Sequence, residues 1–193
     1  LHVPKLPTLE GLGSFEGPSF HSASWDHDVE LAGLRVGVIG NAASAVQLVP
    51  EVAKEAKELY VFQRSAHWVL PRSDCTYPRV VQWLLRFPPL QRAYRIMLYL
   101  YQELGFFLLF RKGALAARVV QRRIRKRIRR DVADSATRDA LVPDYPFGCK
   151  RALLSDTYYP ALNRPNVHLV TDALTEEQPE GLATAESHYA LDA

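Results

Sequence analysis

Leu34-Arg35-Val36-Gly37-Val38-Ile39-Gly40-Asn41-Ala42-Ala43-Ser44-Ala45, joined a helix later to Leu59-Tyr60-Val61-Phe62-Gln63-Arg64, is the stretch that decides the fold. Residues 34–39 are a short apolar run bounded by glycine, which is how a buried parallel strand reads. From Ser44 to Lys57, Ala45, Val46, Leu48, Val49, Val52, Ala53 and Ala56 recur at helical spacing, with lysines and glutamates gathered late on the other face. Leu59–Phe62 carries the β-branched and aromatic residues of a second strand. Strand, turn, helix and strand in this order make a βαβ unit, whose crossover is almost always right-handed. Pro50 interrupts the helical pattern and is expected to remove one backbone hydrogen bond and bend the helix.

The turn between the first strand and the helix has the frame G-x-G-x-x-G/A of a dinucleotide fingerprint, with Ala42 in place of the second glycine. Such a turn presents backbone amides at a helix N-terminus to a pyrophosphate, whereas a Cβ at the second position crowds the phosphate. Gly40, Asn41, Ala42, Ala43, Ser44 and, one helical turn on, Gln47 are the candidate contacts. A plain βα turn is the alternative. At the end of the second strand an acid suits the ribose of NAD, while Arg accommodates the 2′-phosphate of NADP. Arg64 stands there, with Ser65 beside it as a hydroxyl donor, and a guanidinium can grip phosphate bidentately. The competing reading is a solvated charge at a strand end.

Working outward, residues 1–33 are rich in Pro, Gly and Ser and read as an extended linker with turns. Residues 34–77 form the first part of the nucleotide-binding domain. Residues 78–142 read as a helical insertion, with stretches at Val80–Phe87, Leu90–Phe110 and Ala114–Val132 broken by Pro88-Pro89 and Gly113. From 143 the chain returns to loops and short strands, of which 166–170 is the best defined. The expected fold class is therefore α/β, a Rossmann-like domain with a helical insertion.

Further residues carry a resemblance. Phe15-x-Gly17-x-x-x-His21-x-x-x-Trp25-Asp26 resembles the fingerprint of Baeyer–Villiger monooxygenases, and the stretches VIGNAASAVQLVPEVA, FQRSAHWVLPR and PDYPFGCKRALLSDTYYPALNRPNVHLV look like the same family. The resemblance implies an FAD- and NADPH-dependent enzyme of the flavin-containing monooxygenase kind. Such an enzyme activates O2 on the reduced flavin and inserts one oxygen atom into a ketone or a heteroatom substrate. It implies that Arg64 holds the NADP 2′-phosphate, that Gly40 to Ser44 hold the pyrophosphate, that Lys150 is a second phosphate contact and that Arg151 is the catalytic arginine. A permanently charged donor suits that place because it stabilises an anion without titrating. Phe15, Gly17, His21, Trp25 and Asp26 are implied to couple domains, with His21 structural rather than catalytic. His67 stands where the family commonly has Asn. No FAD fingerprint is legible in residues 1–33, so the main flavin-binding segment is expected outside this chain, and the last residues are expected to open a FAD-domain segment.

The 193 residues carry 24 Lys+Arg and 21 Asp+Glu, but residues 111–130 hold ten of the basic groups and no acid. The rest of the chain is therefore net acidic. Two cysteines, Cys75 and Cys149, stand far apart with no CxxC or His/Cys cluster, which points to a reducing, cytoplasmic setting and against a metal site. The apolar runs of Leu90–Phe110 beside this basic segment suit a peripheral membrane contact through residues 90–130, with a core helix followed by a solvated basic helix as the alternative. No aromatic is interleaved in the cluster and no DNA-reading motif is present, so nucleic acid is not an expected partner. The alternative to an enzyme part is a non-catalytic NADP-binding or peripheral membrane-binding module.

Overall fold

The computed structural model describes residues 7–72, 74–110 and 115–193. The break expected at Gly113 and the first four residues of the basic segment lie outside them.

Three parallel strands form the centre: β1 (Arg35–Ile39), β2 (Glu58–Phe62) and β5 (Val167–Val170), in the order β1-β2-β5. Their pairing is in register from Arg35 opposite Glu58 to Ile39 opposite Phe62, and from Leu59 opposite Val167 to Phe62 opposite Val170. Strand periodicity sends alternate side chains to opposite faces. Leu59 and Val61, both 0% exposed, join Val36 and Val38 on the face covered by α1 (Ala43–Glu55). Tyr60 and Phe62 point the other way, into a second cluster with Val170, Leu182 and Leu191. β2 is thus buried on both sides, and its near-continuous apolar sequence follows from that.

α1 supplies Val46, Val49, Val52 and Ala53 to the first core, and the helix runs through Pro50, whose ring is itself buried on the core face. The expected interruption is absorbed within a continuous helix. Two more parallel strands, β3 (Val69–Leu70) and β4 (Leu153–Leu154), pair with each other, and α6 (Tyr158–Ala161) packs against α1 with Tyr158 and Tyr159 buried.

The chain after β5 holds an element that the sequence pattern did not predict. β6 (Leu174–Gln178), β7 (Gly181–Thr184) and β8 (His188–Ala190) form an antiparallel sheet that covers the second face of β2. Residues 10–17 are tied to it: the Gly13 and Phe15 amides donate to Glu177 Oε1 at 3.0 and 3.3 Å, and Ser14 Oγ donates to Glu177 O at 2.7 Å. The linker has irregular backbone, yet it is held by the carboxylate of a buried glutamate. Past β8 the chain runs to β1, where Asp192 N donates to Arg35 O at 2.8 Å and Gly37 N donates to Ala193 O at 2.9 Å. Residues 192 and 193 therefore lie along β1 of the parallel sheet. An ion pair of 2.6 Å between Arg35 and Asp192 fixes this junction.

The insertion consists of α2 (Arg79–Leu84), α3 (Pro88–Phe110), α4 (Leu115–Asp131) and α5 (Ser135–Ala140). Pro88 and Pro89 open α3 rather than precede it, in the first turn where a missing amide costs nothing. Asp134 caps α5 by accepting from Thr137 N at 2.7 Å. α4 is not merely a solvated basic helix. Ile124 and Ile128 are buried in the main core, and Arg127, with its side chain 10% exposed, pairs with Asp131 at 3.1 Å and donates to Ser155 O at 2.9 Å.

Candidate functional site

The turn between β1 and α1 is built on one conformational requirement. Gly40 has φ of +100°, which L side chains rarely adopt, and its amide donates to Phe62 O at 2.9 Å, so the turn is tied to the end of β2. Ala42, in the place of the second fingerprint glycine, has φ −79° and ψ −164°, an extended conformation that alanine takes without strain. Its Cβ is exposed. Ala45, the third position, is buried against the sheet, which explains a small residue there.

Ala42 is the N-cap of α1 without a side-chain cap, and no acid occupies the first turn. The opening amides of a 13-residue helix are therefore left to an external acceptor, at the end where the helix dipole favours an anion. Ala43 and Ser44 are exposed at this end. Gln47, one turn further, donates from Nε2 to Ala43 O at 3.1 Å and so spends its amide on its own helix.

Asn41 points inward. Its Nδ2 donates to Gln63 Oε1 at 2.7 Å and to Ser65 O at 2.9 Å, and Gln63 passes the chain on by donating from Nε2 to Ala140 O at 2.8 Å. The side chain expected at a cofactor thus joins the turn, the exit of β2 and α5. Gln63, which the sequence reading did not single out, is its buried partner; a polar residue closing an apolar strand was the only signal available.

At the exit of β2, Ser65 Oγ accepts from Lys150 Nζ at 2.9 Å, which brings together two residues 85 positions apart. Arg64 beside it is exposed and, among the described residues, makes no hydrogen bond or ion pair. Lys150 lies 4.5 Å from the centroid of the Tyr145 ring. Tyr145 donates its hydroxyl to Ala66 O at 2.9 Å, and the His67 ring is 3.5 Å from that hydroxyl. Burial, and after it the charge of Lys150, holds His67 below the ordinary histidine value. Arg151 is exposed before β4, also without a hydrogen bond or ion pair among the described residues.

On its other side the turn faces a groove of about 700 Å³ lined by Gly40 and Ser44 and by Phe15, Phe20, His21 and Trp25. The volume lies in the range of small-molecule sites. A Cβ on Gly17 would stand 2.5 Å from the Phe15 ring and 2.8 Å from Asp192 O, so the aromatic-x-glycine pair is a packing requirement. His21 accepts from Ala23 N at Nδ1, 3.0 Å, and Trp25 meets Phe20 edge to face at 5.0 Å and packs on the main core. Asp26 closes a turn by accepting from Asp28 N at 3.0 Å. The structure thus brings the turn, Ser65 and Lys150 to one end of the sheet, and His21 and Trp25 to the groove beside the same turn.

Comparison with known proteins gives this arrangement a family. The chain is 41% identical over 187 residues to a Baeyer–Villiger monooxygenase of Streptomyces coelicolor, covering 96% of this chain and 36% of the relative. It is 37% identical over 194 residues to an FAD-binding monooxygenase of Aspergillus niger, covering all of this chain and 32% of that protein. Among solved structures, the polycyclic ketone monooxygenase of Thermothelomyces thermophila superposes with a TM-score of 0.83 at 32% identity over 98% of this chain and 38% of the other. OTEMO in complex with FAD and NADP superposes at 0.78, with 31% identity over 98% of this chain and 44% of the other. The chain spans about a third of the length of the curated relatives it matches. With the model of flavin-binding monooxygenase-like proteins matching residues 1–99, the chain belongs to the flavin-binding monooxygenase-like family.

Proposed function

We propose that this chain is the NADP(H)-binding part of a flavin-dependent monooxygenase of the Baeyer–Villiger type, and that the whole protein uses FAD, NADPH and O2 to insert oxygen into a ketone or heteroatom substrate. The observation that carries the reading is the group at the end of β2, where Lys150 Nζ lies 2.9 Å from Ser65 Oγ beside the exposed Arg64. Two cations and a hydroxyl suit a phosphate dianion better than the two hydroxyls of an unphosphorylated ribose.

The residues fit the group. The uncapped amides at Ala43 and Ser44 would take the pyrophosphate, with Gly40 letting the chain turn away from it. Arg64, Ser65 and Lys150 would take the 2′-phosphate. When bound, the nicotinamide supplies a hydride to the flavin. Arg151 is the candidate catalytic residue: a guanidinium offers several N–H donors in a fixed fork and can hold an anionic partner. Phe15, His21 and Trp25 line the groove, Gly17 gives room to the Phe15 ring and Asp26 closes the adjoining turn, and none of them takes a proton-transfer role in this reading.

Binding of NADPH and NADH to wild type and Arg64→Ala tests it. Charge-assisted hydrogen bonds contribute about 1.5–3 kcal/mol, so NADPH affinity should fall about tenfold or more while NADH affinity stays within about twofold. Equal loss for both nucleotides would sink the assignment.

A second reading, peripheral contact with an anionic membrane, has its own observation. Ile96, Leu100, Leu104 and Phe107 are 59–65% exposed along one face of α3, and Arg118, Arg122, Lys126 and Arg129 are exposed on α4. Among the described residues no helix is long and apolar enough to cross a membrane, so any such contact is interfacial.

A further inference from the structure

We infer that Tyr145 is the positioning residue behind the 2′-phosphate preference of this site, acting by carrying Lys150 on its ring face beside Ser65. This rests on the reading of Arg64, Ser65 and Lys150 as the phosphate group's partners.

Tyr145 is fixed at two points before Lys150 is considered. Its backbone carbonyl accepts from the indole Nε1 of Trp68 at 3.1 Å, and Trp68 is 1% exposed. Its hydroxyl donates to Ala66 O at 2.9 Å, so the ring is tied to the loop after β2, two residues beyond Arg64. Its position is therefore set by the same loop that presents Arg64 and Ser65.

Lys150 is different. It sits in an exposed turn, and a lysine stem is flexible enough that ordering it against a ligand costs rotamer entropy. Two contacts supply that order in advance: the ring of Tyr145 at 4.5 Å and the hydroxyl of Ser65 at 2.9 Å. The ring attracts the ammonium without neutralising it, as a carboxylate would, so the charge stays available to a dianion. An ammonium ordered before the ligand arrives strengthens binding because less freedom is lost on association. Ser65 is the link to the ligand, because its hydroxyl can turn to donate to phosphate while Lys150 remains on the aromatic face.

The test is calorimetric binding of two probes to the full chain, adenosine 2′,5′-bisphosphate and adenosine 5′-monophosphate, which differ only in the 2′-phosphate. Wild type should prefer the bisphosphate. Tyr145→Leu should lower that preference about two- to fivefold, the scale of an exposed cation–π contact. Tyr145→Phe, which keeps the ring, should stay within about twofold of wild type. In a Lys150→Ala background Tyr145→Leu should change nothing more, because the ring acts through the ammonium. Tyr145→Met replaces the Leu variant if the latter does not fold. A preference untouched by losing the ring, or lowered equally with Lys150 already gone, overturns the inference while leaving the phosphate reading intact. A wild type indifferent to the 2′-phosphate overturns the phosphate reading and the inference with it.

Discussion

Asn41→Ala separates a structural side chain from a ligand contact at the position where the dinucleotide frame placed a cofactor residue. Asn41 is 7% exposed and Gln63 3%, and the Asn41 amide donates to Gln63 Oε1 at 2.7 Å and to Ser65 O at 2.9 Å. Alanine orphans both acceptors. A buried acceptor left without a donor costs about 1–3 kcal/mol, and Ser65 O, being only part-buried, can recruit water. The expected loss is about 2–3 kcal/mol, which for a chain of this size lowers the melting temperature by about 4–12 °C. Urea unfolding followed by tryptophan fluorescence measures it, provided the slope with denaturant is unchanged. The exposed neighbour Ser44→Ala is the control, expected within about 0.5 kcal/mol of wild type. A loss below about 0.5 kcal/mol for Asn41→Ala, accompanied by weakened nucleotide binding, would refute the buried-linker argument and return Asn41 to the ligand.

The Arg35–Asp192 junction makes stability depend on acid. The Arg35 guanidinium and amide hold the Asp192 carboxyl down from 3.8 to about 2, so its contribution is complete above about pH 4 and is lost as pH falls towards 2. Both side chains are more than a third exposed or close to it, so the gap between wild type and Asp192→Asn should be about 1 kcal/mol or less at pH 6 and close by pH 2; a gap constant across that range excludes the carboxylate as its source. For the exposed faces of α3 and α4, sedimentation with anionic vesicles should retain the chain in a salt-sensitive way, and Leu100→Glu should release it. Absence of binding, or binding that ignores lipid charge, removes the membrane reading.

The parts of the fold that could be read are those whose burial obeys a simple period. β1, α1 and β2 were legible because Val36 and Val38, then Val46, Val49 and Ala53, then Leu59 and Val61 all face one core. The sheet β6–β8 was not, and the reason lies in Glu177. That residue occupies a strand position as a buried carboxylate satisfied by the amides of Gly13 and Phe15 more than 160 residues away, so its stretch, Leu174–Gln178, pairs with β7 yet lacks the apolar alternation that marks a strand. The site divides in the same way. Arg64 and Ser65 follow the strand directly and could be placed by spacing, whereas Tyr145 depends on a return of the chain across the helical insertion.

The basic segment gives the clearest case of what a charge count leaves out. Composition weights Arg127 and Arg122 alike, five residues apart on one helix. Helical geometry turns Arg127 to the side of Ile124 and Ile128, where its guanidinium lies 5.5 Å from the Tyr159 ring and its Nε 3.1 Å from Asp131 Oδ2, while Arg122 stays in solvent. A guanidinium taken out of water in this way must keep its partners, because removing one leaves a buried charge uncompensated. The run of arginines therefore mixes two physical roles. Arg127, on the side of Ile124 and Ile128, fastens the insertion to the main core, whereas arginines such as Arg122 and Arg129 stay exposed.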